Sequence, residues 1–239
     1  MQTFYKYLTT ISVLLIALLS LVLAQKVNPA QSIPNIAAYQ FPDSLNSEVI
    51  NVDSLWQIVG DHKTVPLGFE KAALIAYSAY PELRDIQIEM ILTNSGAPME
   101  TNFKFQTLFG PKSNRVYQIL LNDSDQSLFE PILLKNLPFN AQVGILAHEL
   151  GHVVYYKDLS TFQIAKWGIM YLISSEFRAT HERSTDLMPI YHGLGEQIYD
   201  YAYYIRHDTS CQPLYQQFQD FADTYYMTDI ELRKTIKNY

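Results

Sequence analysis

A chain of 239 residues, 48% apolar and 17% charged, is long enough to bury one substantial core. Its formal net charge of −7 argues against nucleic acid or an anionic membrane surface as the main partner. The single cysteine, Cys211, excludes an internal disulfide framework, so the fold must rest on its core.

Residues 1–24 read as a leader. Lys6 is their only charge, an apolar run follows from Ile11 to Leu23, and Val22 and Ala24 are small residues suited to a cleavage site before Gln25. This is the pattern of a secretory signal peptide, with an uncleaved N-terminal anchor as the alternative. Either form puts the rest of the chain in an exported setting: periplasmic, secreted, or on the outer face of a membrane. Membrane contact is expected only if the leader is retained. Residues 25–66 read as an extended arm, with Pro29, Pro34 and Pro42 among Asn, Gln and Ser. The part from Ser44 to His62 suits a packing helix, a short strand and turn, or a segment lying across a cleft.

Residues 67–239 read as the main domain. Phe69, Ala72, Ala73, Ala76, Tyr77 and Tyr80 recur at helical spacing, and Pro81 stops that helix. Residues 85–93 alternate, with Ile86, Ile88, Met90 and Leu92 on one face, which predicts a strand. Residues 102–109 and 115–122 flank turn chemistry at Gly110-Pro111-Lys112-Ser113-Asn114 and should pair as a hairpin. Residues 127–134 predict a short helix. Pro138-Phe139-Asn140 then opens a central helix, with Asn140 as its N-cap and Val143, Leu146, Ala147, Leu150 and Val154 on its apolar face. Gly151 costs about 1 kcal/mol in a helix interior, which a closely passing neighbour would explain. Residues 164–177 are strongly apolar, interrupted by Lys166 and Glu176, and read as a buried helix too short to span a bilayer. Residues 182–191, 196–206 and 213–226 are helix-like, and Thr228-x-x-Glu231 is a capping box opening a last helix. The fold class is therefore α+β: a small mixed or antiparallel sheet, one central helix and a helical C-terminal half.

The central helix carries His148-Glu149-Leu150-Gly151-His152. Residues four apart share a helix face, so both imidazoles can point at one metal ion. Glu149 lies about a quarter-turn away, out of the ligand triangle but within reach of a water on the metal. Two ligands and a general base from five residues is the layout of a zinc hydrolase.

A catalytic zinc ion needs a third protein ligand and an open position. Glu182 and Asp186 share a helix face, so one can bind metal while the other holds a ligand histidine. Asp158 stands six residues after His152, as in metzincin-like enzymes, but Tyr155 occupies the place where those enzymes need glycine. His181 adjoins Glu182, a quarter-turn off the Asp186 face, and could contact substrate or be exposed.

His148-Glu149-Leu150-Gly151-His152 followed by Glu182-x-x-x-Asp186 resembles the gluzincin clan, the thermolysin-like zinc metallopeptidases, and within it small HtpX-like catalytic domains. The likeness covers roughly residues 85–200. It implies a zincin-like fold in which His148, His152 and Glu182 bind Zn2+, Glu149 is the general base and Asp186 orients a ligand histidine. It also implies that the strand at residues 115–122 lines the cleft and pairs with an extended peptide, as in β-augmentation. The chain departs from the pattern in two ways. No motif marks the oxyanion donor, for which Tyr191, His192 and His207 are the candidates. HtpX-like enzymes also carry several membrane helices, and this chain has at most the leader. The expected activity is hydrolysis of peptide or protein substrates through a metal-activated water. The alternative is a non-catalytic exported zinc-binding or assembly module on the same fold.

Overall fold

The central helix, α3 (Phe139–Lys157), is buried on nearly every side, from Ala141 and Val143 through to Val154 and Tyr156. A helix apolar all round must be enclosed by other elements. The computed structural model, which describes residues 42–94 and 96–239, shows how this one is enclosed. The leader and the first part of the arm lie outside the described residues.

Before α3 come α1 (Val52–Val59), α2 (Glu70–Ser78) and four strands: β1 (Lys63–Thr64), β2 (Gln87–Thr93), β3 (Met99–Phe103) and β4 (Val116–Asn122). After it come α4 (Thr161–Ile173), α5 (Ser175–Tyr191), α6 (Gly195–His207), α7 (Gln212–Tyr225) and α8 (Asp229–Asn238). The sheet is small and mixed, in the order β1-β2-β4-β3. β2 pairs in parallel with β1 and β4, and β3 pairs antiparallel with β4. The α+β class is as expected.

The expected strand at residues 115–122 forms, but both of its edges are occupied, by β2 and β3. It has no free backbone to offer a peptide. β3, one of the sheet's two edge strands, packs on α3. Residues 127–134 form 3-10 turns rather than a helix. The apolar stretch at residues 164–177 is divided at Ser174, whose hydroxyl accepts from Phe177 N and so starts α5. α4 is not fully buried either, since Phe162, Leu172 and Ile173 are exposed. Among the described residues no helix is long and apolar enough to cross a membrane.

Two glycines set how closely the helices approach α3. A Cβ on Gly151 would come within 3.0 Å of Met188 Cβ and 3.1 Å of Thr185 Cγ2, so α5 is the close neighbour that residue accommodates. A Cβ on Gly144 would meet the backbone of Gln197 on α6.

Asn140 is not the N-cap of α3; Pro138 is. Its Oδ1 accepts from Leu45 N (3.1 Å), and its Nδ2 donates to Asp43 O (2.7 Å) and Asp200 Oδ2 (2.6 Å). The arm's residues 42–46 are thus tied to α3 and α6, and α1 packs on α2. Asn140→Ala should cost about 1–2 kcal/mol and hasten proteolysis within residues 42–50, read from melting curves and the cleavage map. Unchanged proteolysis would show that the clamp does not hold the arm.

Candidate metal centre

α3 and α5 cross where Gly151 lets them approach, and the crossing sets His148, His152 and Glu182 face to face, all three buried. His148 Nε2 and His152 Nε2 each lie 3.4 Å from Glu182 Oε2. One ligand atom from each residue falls within 4.8 Å of the others. Ligand atoms about 2.0–2.2 Å from a shared ion in a tetrahedral shell are roughly 3.4 Å apart, so the set fits such an ion. Among the described residues it is the one group of three or more His, Cys, Asp and Glu side chains with that spacing.

The surroundings fix the tautomers. His148 donates Nδ1–H to Asp186 Oδ1 (2.9 Å), which leaves Nε2 facing Glu182. Asp186 is itself anchored, since its Oδ2 accepts from Met227 N (2.7 Å). His152 Nδ1 lies 3.0 Å from His181 Nε2, so with Nε2 reserved for a ligand role it donates to His181. Tyr171 donates its hydroxyl to the second oxygen of Glu182 (2.5 Å). Each of the three residues therefore has an outer partner, as ligand side chains require. Asp186→Asn would remove the acceptor charge behind His148 and should weaken divalent-metal binding about 10–100-fold, measured by chelator competition.

Glu149 is buried beside the cluster and accepts from Thr101 Oγ1 on the edge strand (2.6 Å). Glu149, Asp186 and Glu100 line a cavity of about 470 Å3. Residues 42–66 contribute nothing to its lining, so the described part of the arm does not cross it.

The other expected site residues are elsewhere. Tyr191 packs on Tyr239 at 5.2 Å between ring centroids, away from the cavity. His192 is buried, stacked on Tyr80 at 3.9 Å and held by Glu82 Oε1 (2.9 Å) and Met188 O (2.7 Å). His207 pairs with Asp229. None of the three can serve an oxyanion, because following a ligand helix in sequence does not bring a residue back over the ligands. His181 is neither exposed nor in the cavity. It is buried among Tyr155, Trp167 and Tyr171 behind His152. Asp158 ends α3 as an exposed partner of Lys157, so it is not a third ligand.

Neighbours of the cluster that escape a reading of the sequence include Thr101, Tyr156, Tyr171 and Tyr226. The Tyr226 ring lies 6.0 Å from that of His148 on the cavity wall, and no local motif marks it. Burial and the Glu182 carboxylate push its pKa well above the usual phenol value, so it remains a neutral hydroxyl donor.

Comparisons with family models, with curated proteins and with solved structures found no match.

Burial opposes a charged His148, but Asp186 and Glu182 outweigh it and hold its pKa well above the usual value. Burial likewise opposes a charged Glu182, and the two histidines outweigh it and hold its carboxyl well below the usual range. The metal-free cluster is thus a buried imidazolium between carboxylates. The sign follows by linkage: His148 contributes stability that is lost as pH rises through its raised pKa, and Glu182 stability that is lost in strong acid. A cation must displace the proton on His148 Nε2. Metal affinity should therefore climb with pH, with about one proton released per ion, measured by calorimetry in buffers of different ionisation enthalpy. An affinity independent of pH would contradict this account of the cluster.

Proposed function

We propose that the chain is an exported zinc-dependent peptidase of the gluzincin type. The observation that carries this reading is the position of Glu149. It is buried next to a three-residue ligand set and lines a cavity. A structural zinc site closes its shell with a fourth protein ligand and has no use for a base beside it, which counts against the non-catalytic module. The antiparallel edge strand β3, touching Glu149 through Thr101, supports the zincin-like reading.

His148, His152 and Glu182 would hold the ion, and zinc bound there supplies Lewis acidity and brings the pKa of its water toward about 7. Glu149 takes the proton of the attacking water and passes it to the departing amine. Thr101 orients the Glu149 carboxylate through its hydroxyl. Tyr226 donates to the developing oxyanion, the role for which the sequence offers Tyr191, His192 and His207. A peptide adds to β3, whose outer edge pairs with no other strand among the described residues, rather than to β4.

The test is zinc content by atomic absorption on the purified protein, paired with casein cleavage before and after chelation. One zinc per chain and chelator-sensitive cleavage are expected. A folded protein without zinc, or cleavage indifferent to chelator, would overturn the assignment.

A further inference from the structure

The cavity at the cluster extends far beyond the space a reacting bond needs. On α6, Ile198, Ala202 and Ile205 line it, and on α7 Leu214, Phe218 and Ala222 do so. The spacings are four and three residues on α6 and four and four on α7, so each helix presents one continuous face. A face eight residues long runs for about 12 Å along α7. Phe129 closes against Phe218, with ring centroids 5.8 Å apart. The cavity is thus a slot between two helix faces, with His148 and Glu149 of α3 at one end of its lining.

Its polar groups are unevenly placed. Tyr201, pushed up in pKa by burial and by the Glu149 and Asp186 carboxylates, belongs to the cluster end. Between α6 and α7 the polar side chains are committed to each other. Arg206 donates to Asp223 Oδ1 from Nε and Nη2 and to Ala202 O from Nη1, and Tyr215 donates to the same Asp223 carboxylate. Cys211 is fully buried, with long contacts to Ser210 Oγ and Pro131 O, each 3.7 Å. A peptide backbone placed there would leave its N–H and C=O groups without partners, at about 1–3 kcal/mol for each. An apolar chain incurs no such loss.

Size separates the apolar candidates. A dry cavity of about 150 Å3 suffices for benzene, so one phenylalanine ring would leave most of this slot unfilled.

We propose that the slot binds an unbranched alkyl chain. Resting on the metallohydrolase reading above, the preferred substrate is then an amide bearing a long acyl group, cut beside that group. Water adds to the acyl carbonyl and the C–N bond breaks. The hydroxyl stays on the acyl carbon as a carboxylic acid, and the proton goes by way of Glu149 to the amine.

Two arms test this on the full chain. In the first, n-alkanols from butanol to dodecanol are titrated into metal-free protein by calorimetry. Affinity should rise roughly fourfold per methylene until the slot is full and then level off. Ala222→Trp should bring the plateau to a shorter chain, with its melting curve reporting whether it folds. A wild-type affinity that ignores chain length, or that levels off at butanol, would overturn the slot irrespective of the variant. In the second arm, zinc-loaded protein is offered N-acyl glycines from acetyl to dodecanoyl and phenylalanine-rich peptides without an acyl chain. A kcat/KM that climbs with acyl length supports the substrate class. Preference for the peptides overturns it. Length-dependent alkanol binding with no cleavage of either set would leave the slot standing and refute the hydrolytic reading beneath it.

Discussion

Glu149→Gln should lower kcat/KM for peptide cleavage by about 10²–10⁴-fold while zinc content and melting temperature stay close to wild type. The substitution keeps the side-chain volume and keeps an oxygen for Thr101 Oγ1, which now donates to Glu149 Oε2 at 2.6 Å. It removes only the ability to take a proton. None of the hydrogen bonds around His148, His152 and Glu182 passes through Glu149, so metal binding has no reason to change. His148→Ala is the contrasting control. It removes a ligand and also strips Glu182 and Asp186 of their buried counter-charge, at about 3–5 kcal/mol for breaking a buried pair. That variant should lose zinc, activity and stability together. The measurements are steady-state kinetics on a quenched peptide, atomic absorption and thermal melting. If Glu149→Gln cleaved as fast as wild type, Glu149 could not be the base and the peptidase reading would lose its main support.

The parts of the site legible beforehand are those written in local spacing. His148 and His152, and Glu182 and Asp186, are pairs four apart, and a helix turns each pair to one side whatever the rest of the chain does. The same holds for Thr228 and Glu231, whose capping box forms as read. The 29 residues between His152 and Glu182 carry no such code, and only the α3–α5 crossing shows that they return Glu182 to within 3.4 Å of both imidazoles. His181 illustrates the complement. A quarter-turn from the ligand face looks like exposure on an isolated helix. In the fold that direction is filled by α4, and Trp167 and Tyr171 enclose the ring behind His152. Asn140 was legible as a cap by its type and place, yet it bonds residues 95 and 97 positions away in sequence. The resemblance implies that β4 pairs with a peptide, but a strand's side-chain pattern reports on faces, whereas edges are decided by which strands pair. Tyr156, Tyr171 and Tyr226 are three of 18 tyrosines, and nothing local separates those that reach the cluster.

Gly144→Ala should destabilise the fold by at least about 3 kcal/mol, although propensity alone forecasts a gain of about 1 kcal/mol for replacing a mid-helix glycine with alanine. The two effects are opposed and the geometry decides between them. A Cβ at this position would lie 2.1 Å from Gln197 O, 2.4 Å from Gln197 C and 2.7 Å from Ile198 N. All three are backbone atoms, so no rotamer change relieves the clash, and α6 must move as a body. Gln197 is fixed in turn by its Nε2 donating to Pro42 O (2.8 Å), and the displacement would break that tie. Gly151→Ala provides the internal comparison. Its added methyl would meet side-chain carbons of Met188 and Thr185 at 3.0–3.2 Å, which can yield by a few tenths of an ångström. For a chain of this size 3 kcal/mol corresponds to a fall of roughly 6–12 °C in Tm, and Gly151→Ala should fall by much less. A Gly144→Ala protein as stable as wild type would show that α3 and α6 do not touch backbone to backbone. The wall carrying Ile198, Ala202 and Ile205 would then stand farther from His148 and Glu149 than the cavity geometry requires.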